Sequence, residues 1–397
     1  MKLGEVLLTI LIIFFFMSTL IFNYSKYFRG EQQFTYLAKS FLQGKTYFLE
    51  EPGTWADTVF YKGHYYWPLG PFPAIVLMPF IYLSDFFGTF FYQGYLQFFI
   101  TIGVFLLCFK ISRKFGYAKW DSLFLAFAFC FASVYQLIAF LTWSWYFVQA
   151  MTVFLVLLAI YEYLGKRRYW LMGILFAGVF MSRFTAGFGI LFFLLSKPNL
   201  KNSVAILTPV LISGFLLLGY NYVRFENPVD NGYMATNNAT LTESERFELL
   251  NRGLFKLKNI PTNFYYYFIK TLDPVLLPVE SFFGNTHILR FPYVRVGYPG
   301  TSFFVVSSIF LYTFRTRWKE RLVKLSLVPI VIILLFLLSY YWSGWRQVGP
   351  RYMLDLLPFL YILLMFSFKK FKLTKIAKAI VLLSSLLDFY LFSTIAP

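Results

Sequence analysis

Apolar runs recur along the whole chain, and short clusters of Lys and Arg separate them. An α-helix needs roughly twenty apolar residues to cross a bilayer, so the alternation predicts an all-α polytopic bundle. The spacing puts about eleven spans at 4–22, 91–109, 122–141, 147–163, 169–182, 185–196, 204–221, 300–314, 325–341, 354–368 and 377–395. The first run, residues 7–22, follows only Lys2 and Glu5 and lacks a small-residue cleavage site, so it reads as an uncleaved anchor. Residues 1–397 read as one transmembrane domain, with two large loops, 23–89 and 222–299, on the same side.

Charge decides two ambiguous segments. Short cytoplasmic loops collect Lys and Arg, and five clusters should share the inner side: Lys110, Arg113, Lys114 and Lys119; Lys166, Arg167 and Arg168; Lys197 and Lys201; residues 315–324; and residues 369–378. Residues 72–83 hold about twelve apolar positions with Pro71, Pro73 and Pro79, and Asp85 follows. Counting them as a crossing would turn most later clusters outward, so they read as a re-entrant or surface helix. Residues 169–196, interrupted by Arg183, must instead be a hairpin with Arg183 near its outer tip. The N-terminus is then cytoplasmic and the C-terminus extracytoplasmic. The inner side holds 20 of the 36 Lys and Arg but only four of the 18 acids. That distribution suits anionic inner-leaflet lipids and argues against nucleic acid.

Within the first outer loop, Phe34, Leu37, Ala38, Phe41 and Leu42 follow helical spacing, with Lys39, Ser40 and Gln43 opposite and Gly44 as a stop. A helix lying on the membrane is expected there. In the second loop Thr242 and Glu245 make a capping box for a helix to about Arg252, closed by Gly253, and an aromatic helix follows at 264–269. Composition agrees, at 59% hydrophobic and 14% charged against about 25% charged in soluble domains. Cys108 and Cys130 lie inside apolar runs, and His64 and His287 lack metal-ligand spacing, so neither a disulfide nor a zinc site is expected. The Asn238-Ala239-Thr240 sequon has meaning only where a host glycosylates that face.

Four stretches together resemble a known family. They are Glu31-Gln32-Gln33-Phe34-Thr35-Tyr36-Leu37-Ala38 running to Gly44; Tyr61-Lys62-Gly63-His64-Tyr65-Tyr66-Trp67-Pro68 through Ala74; Asn221-Tyr222-Val223-Arg224-Phe225-Glu226-Asn227-Pro228 with Gly232-Tyr233; and Gly349-Pro350-Arg351-Tyr352 leading to Asp355-Leu356-Leu357-Pro358. In order and placement they resemble the GT-C superfamily of polytopic glycosyltransferases, the branch with protein O-mannosyltransferases and the lipid A aminoarabinose transferase. The resemblance implies a GT-C-like bundle with two extracytoplasmic juxtamembrane helices. It also implies inverting transfer of a sugar from a polyprenyl-phosphate donor to a hydroxyl of a protein, lipid or glycan acceptor, at the outer face of the cell membrane.

Under that resemblance Glu31 is the catalytic base, where the family usually has Asp. The alternative is a solvated acid paired with Lys26 or Arg29. The family's second carboxylate near the third and fourth spans has no counterpart, since residues 142–150 offer at most Gln149. Asp57, flanked by Glu50 and Glu51, is the second-acid candidate, and no metal or other cofactor is expected. For the donor phosphate, Arg351 after Pro350 at a helix start is the first choice, although an Arg351–Asp355 pair one turn apart is equally open. Arg224, Arg346 and Arg183 are further candidates. Trp67, Trp143, Trp145, Trp342 and Trp345 sit at the outer boundary, where they form an aromatic belt or stack on sugar. Two rival readings remain: a transporter or flippase of a lipid-linked sugar, with its site at the midplane, and a non-catalytic relative that binds the lipid carrier.

Overall fold

The computed structural model describes residues 3–26, 28–55, 57–196, 198–235, 253–281 and 284–395. The capping box at Thr242 and Glu245 and the Asn238 sequon lie outside the described residues. The first apolar run, free of Pro, forms α1, Leu3–Tyr24. The amphipathic stretch forms α2, Gln33–Leu42, with Phe34, Leu37 and Ala38 fully buried; Ser40, expected on the polar face, is buried too. A short hairpin of β1, Val59–Tyr61, and β2, His64–Tyr66, follows. The proline-rich segment is α3, Phe72–Phe86, which has a proline in its first turn and Pro79 inside it and packs against α2. Its N-terminus meets Met181, and the next helix begins beside Glu31, so both ends of α3 lie at one end of the bundle.

Long helices then alternate with broken ones. They are α4, Gln93–Lys114; α5, Lys119–Phe131, and α6, Tyr135–Phe140; α7, Ser144–Tyr163; α8, Tyr169–Phe180; α9, Phe184–Gly187, and α10, Ile190–Leu194; and α11, Leu200–Phe225. Beyond the second loop come α12, Ile260–Phe264, continued by a π-turn Tyr265–Ile269; α13, Phe303–Val306, with a 3-10 helix Ser308–Arg315; α14, Arg321–Ser339; a 3-10 turn Arg351–Asp355 with α15, Leu357–Met365; and α16, Lys375–Ser393. Six of these helices (α1, α4, α7, α11, α14 and α16) are long and apolar enough to cross a membrane. The fold is therefore helical and of multi-pass type. Among the described residues two antiparallel hairpins accompany the helices, β1–β2 above and, in the second loop, Asp273–Ser281 with Gly284–Arg295, β3 and β4.

The core is aromatic. Phe15 packs on Phe127, Phe131 and Phe140 with ring centroids 5.5, 5.1 and 6.2 Å away. Lipid tails are as apolar as these rings, so such contacts stabilise through close packing and ring geometry, each worth about 0.5–1.5 kcal/mol beyond area burial in soluble proteins.

The basic clusters meet at one end. Lys114 Nζ donates to Leu164 O at 3.4 Å, Arg321 donates to Ser196 O, and Arg317 Nε donates to Phe366 O at 3.3 Å. Lys378 pairs with Asp121 at 2.5 Å, and Tyr117 Oη donates to Met365 O at 2.7 Å. Arg183 lies between α8 and α9, where the α8–α10 hairpin turns.

Candidate active site

Glu31 occupies the turn between α1 and α2, and its backbone is clamped by two helix starts. Its carbonyl accepts from Gln93 Nε2 on α4 at 3.2 Å and from Ser144 Oγ on α7 at 3.3 Å. Gln32 Oε1 accepts from Gln93 N at 3.1 Å, and Gln32 N donates to Pro52 O at 3.2 Å. Gly30 has φ +55°, and a Cβ there would lie 1.7 Å from Trp143 Nε1, so the approach to Glu31 needs glycine. Gly53, at φ +110°, brings the first loop back over the acid; its Cβ position is 3.7 Å from Glu31 Cγ.

The Glu31 carboxylate accepts from Gln33 Nε2 at 2.5 Å. Burial pushes its pKa up, and Asp57 adds to the rise, while hydrogen bonds from Gln33 and Thr54 and the charge of Arg346 pull it back. Arg29 is no partner for it. That guanidinium stacks 3.7 Å from the Tyr92 ring and donates to Tyr24 O and Tyr95 Oη. Asp57, in the left-handed backbone region at φ 57°, is pushed up to about 6 by burial, against the lowering effect of Arg351.

Two of the four arginine candidates lie within electrostatic reach of these acids, Arg346 of Glu31 and Arg351 of Asp57. Arg351 is 7% exposed, and its guanidinium packs 4.9 Å from the Tyr146 ring and 5.3 Å from Tyr352. Its Nε has no hydrogen-bond partner among the described residues. Arg346, exposed and at φ 43°, lies between Trp143 and Trp345 at 5.1 and 4.8 Å. Its carbonyl accepts from Tyr146 Oη at 2.7 Å, which fixes the loop before Arg351.

The other two are committed elsewhere. Arg183 grips Asp355 in a fork at 2.6 and 2.9 Å, and Thr185 Oγ1 adds a third bond at 2.5 Å. Asp355 therefore belongs to Arg183, not to Arg351. Arg224 donates to Trp67 O and to Asn221 Oδ1, both at 2.6 Å, with its guanidinium 3.9 Å from the Tyr220 ring. The helix start expected beneath Arg351 also differs. It is a five-residue 3-10 turn, and the Arg351 amide already donates to Gln347 Oε1 at 3.2 Å, so little dipole remains for an anion. Gln149 holds the Arg351 carbonyl at 3.4 Å.

Tyrosines complete the rim. Tyr233 Oη lies 2.7 Å from Tyr340 Oη, and the Tyr340 and Tyr352 rings are 6.0 Å apart. Tyr233 and Asp57 are within electrostatic reach of each other. Tyr146 and Gln347 carried no distinguishing signal in the chain, and Tyr352 appeared there only as the neighbour of Arg351. Among the boundary tryptophans Trp67 is fully buried, whereas Trp143 and Trp345 flank the site.

No protein-family model matches the chain, and no curated protein is similar to it. Among solved structures, the apo oligosaccharyltransferase of Archaeoglobus fulgidus is similar at TM-score 0.40 and 13% identity, over 100% of this chain and 56% of that one. The chain thus spans little more than half that protein's length, and a likeness so distant says nothing of its reaction.

Proposed function

We propose that the chain is a membrane glycosyltransferase of GT-C type that moves a sugar, with inversion, from a polyprenyl-phosphate donor to an acceptor hydroxyl. The observation that carries the reading is the convergence of two carboxylates and two arginines, Glu31, Asp57, Arg346 and Arg351, at the end of the bundle opposite the basic clusters. The cytoplasmic preference of Lys and Arg then makes the site extracytoplasmic and the N-terminus cytoplasmic. The five broken passes, α5–α6, α8, α9–α10, α13 with its 3-10 helix, and the Arg351 turn with α15, count as crossings beside the six long helices, giving eleven.

Glu31 takes the proton of the acceptor hydroxyl as its oxygen bonds to the anomeric carbon. The bond from that carbon to the phosphate oxygen breaks, and its electron pair leaves with the phosphate. Burial keeps Glu31 more basic than a solvated carboxylate, which suits a general base. Arg351, with an unused Nε, and Arg346 neutralise the departing phosphate. Asp57 lies within electrostatic reach of Arg351 and supplies the second negative charge of the site.

The transport reading draws on one observation, the buried Asp388 in α16 described below, since acids within spans often mark ion or substrate paths. Purified protein given a polyprenyl-phosphate sugar separates the readings. Release of polyprenyl phosphate in detergent, lost in Glu31→Gln, is expected. Movement of the lipid across vesicles without turnover would support transport, and binding with neither would support a non-catalytic relative.

A further inference from the structure

Beside the loop that carries Arg346 and Arg351, three interruptions of helix meet around one acid. Between α5 and α6 the chain leaves helical geometry at Ala132, with φ −133° and ψ 45°. Ser307 breaks the α13 pass in the same way, at φ −136° and ψ 45°, and its Oγ accepts from Val134 N at 3.0 Å. The third interruption is the loop ending at Gly349, before the Arg351 turn. A small cavity lies among them, lined by Ser133, Gln136, Val306, Val348, Gly349 and Asp388 of α16, with Val134 and Leu137. Gln136 Nε2 donates to Ser385 O at 3.1 Å, one turn before Asp388, and ties the broken pass to α16.

Asp388 is 2% exposed, and neither carboxylate oxygen has a hydrogen-bond partner among the described residues. It is also the one ionisable side chain lining the cavity. An ionised carboxylate without a partner in a low-dielectric interior is very costly, so Asp388 is either protonated or paired with a cation taken up in the cavity. Non-helical backbone at membrane depth is tolerated where it lines such a space, and unwound segments offer carbonyl oxygens to cations.

We propose that this cavity is a binding site for a small monovalent cation of the Na+ class, with the Asp388 carboxylate as the anionic ligand and Ser133, Gln136 and neighbouring backbone carbonyls as neutral oxygen donors. Charge favours a monovalent ion: one carboxylate neutralises one positive charge, whereas divalent sites gather several. No group of three or more acids, His or Cys forms a metal cluster among the described residues. The ion would lock α5–α6, the α13 pass and α16 together beneath the loop that carries Arg351.

The test is thermal unfolding of the purified full chain in NaCl, KCl or choline chloride at constant ionic strength. A saturable rise in Tm of about 2 °C is expected in NaCl at ten times the dissociation constant, and no rise in choline. Asp388→Asn should abolish the rise, and Ser133→Ala should move its midpoint to higher NaCl if the asparagine variant does not fold. Identical melting of the wild type in all three salts would overturn the proposal. So would an Na+-specific rise that persists in Asp388→Asn.

Discussion

At the basic end the buried acids have their cations. Glu162 takes Arg168 at 2.8 Å, and Asp121 takes Lys378 at 2.5 Å while accepting the Leu373 amide at 3.0 Å. At the opposite end Glu31 is held by neutral side chains, Asp57 has its pKa raised toward neutrality, and Arg351 rests on aromatic rings with a free Nε. Burial without full pairing is unfavourable, and where it persists the unsatisfied groups point to a ligand that completes them. The same end contains its own control. Arg183 is satisfied by a three-bond carboxylate, while Arg351, directly after Gly349-Pro350 at the start of the turn into α15, is not; one is mortar and the other is available.

The largest effect expected from this contrast is on turnover. Glu31→Gln removes the base while keeping the shape and the Gln33 contact, and should lower the rate of polyprenyl-phosphate release by about a hundredfold to ten-thousandfold. Its Tm should hold or rise, because the variant no longer buries a charge. Unchanged turnover would break the comparison at its centre.

Next in size is the split between the two arginines. Arg183→Gln leaves Asp355 buried without its cation and should cost about 3–5 kcal/mol of stability, read as an early unfolding transition. Arg351→Gln should leave unfolding nearly unchanged and lower kcat/KM by about tenfold to a hundredfold, the loss of a charge-assisted contact to phosphate. The reverse pattern would make Arg351 structural and Arg183 the anion ligand.

Acidity sharpens the same contrast, because activity and stability should move in opposite directions. Folded Asp57 keeps its proton up to about pH 6, whereas the unfolded chain releases it near the ordinary 3.8. Between those values the folded state binds more protons, so stability from this group falls as pH rises toward 6. Turnover instead needs ionised carboxylates and should rise through the same window. Tm and single-turnover rates measured from pH 4.5 to 8 give both slopes. Asp57→Asn should flatten the Tm slope, and a rate that fell as pH rose through 6 would assign Asp57 the role of proton donor.

Much of this architecture was legible because its signals are local. The i, i+3, i+4 spacing of Phe34, Leu37 and Ala38 specified α2 before any packing was known, and Arg183 interrupted an apolar run where the α8–α10 hairpin turns. The basic clusters marked the end of the bundle where Lys114, Arg321 and Lys378 lie. What stayed hidden depends on contacts between distant residues. Asp355 looks like a neighbour of Arg351 along the chain, yet its partner is 172 positions away, on another hairpin. That Asp57 of the first loop comes within electrostatic reach of Arg351 shows only once the chain is folded. The β3–β4 hairpin was obscured by Pro274, Pro278 and Pro292, which break the alternation that marks a strand. Asp388 falls inside the apolar run 377–395, and nothing in the chain signals that its carboxylate is buried without a partner.

The smallest expected effect lies at the basic end. Arg168 reaches Glu162 through two bonds, 3.0 and 2.8 Å, but its side chain is 47% exposed, so water and salt weaken the pair. Arg168→Ala should therefore shift the unfolding transition only slightly, less still in high salt, and leave turnover unchanged. Glu162 retains an alternative in Lys166, whose charge also favours its ionised form. A satisfied pair with a spare cation nearby should tolerate the loss of one partner, whereas a buried acid held by neutral groups should not tolerate the loss of its charge. A fall in turnover in Arg168→Ala comparable to that in Glu31→Gln would mean that the two ends are coupled through the bundle and that pairing alone does not distinguish them.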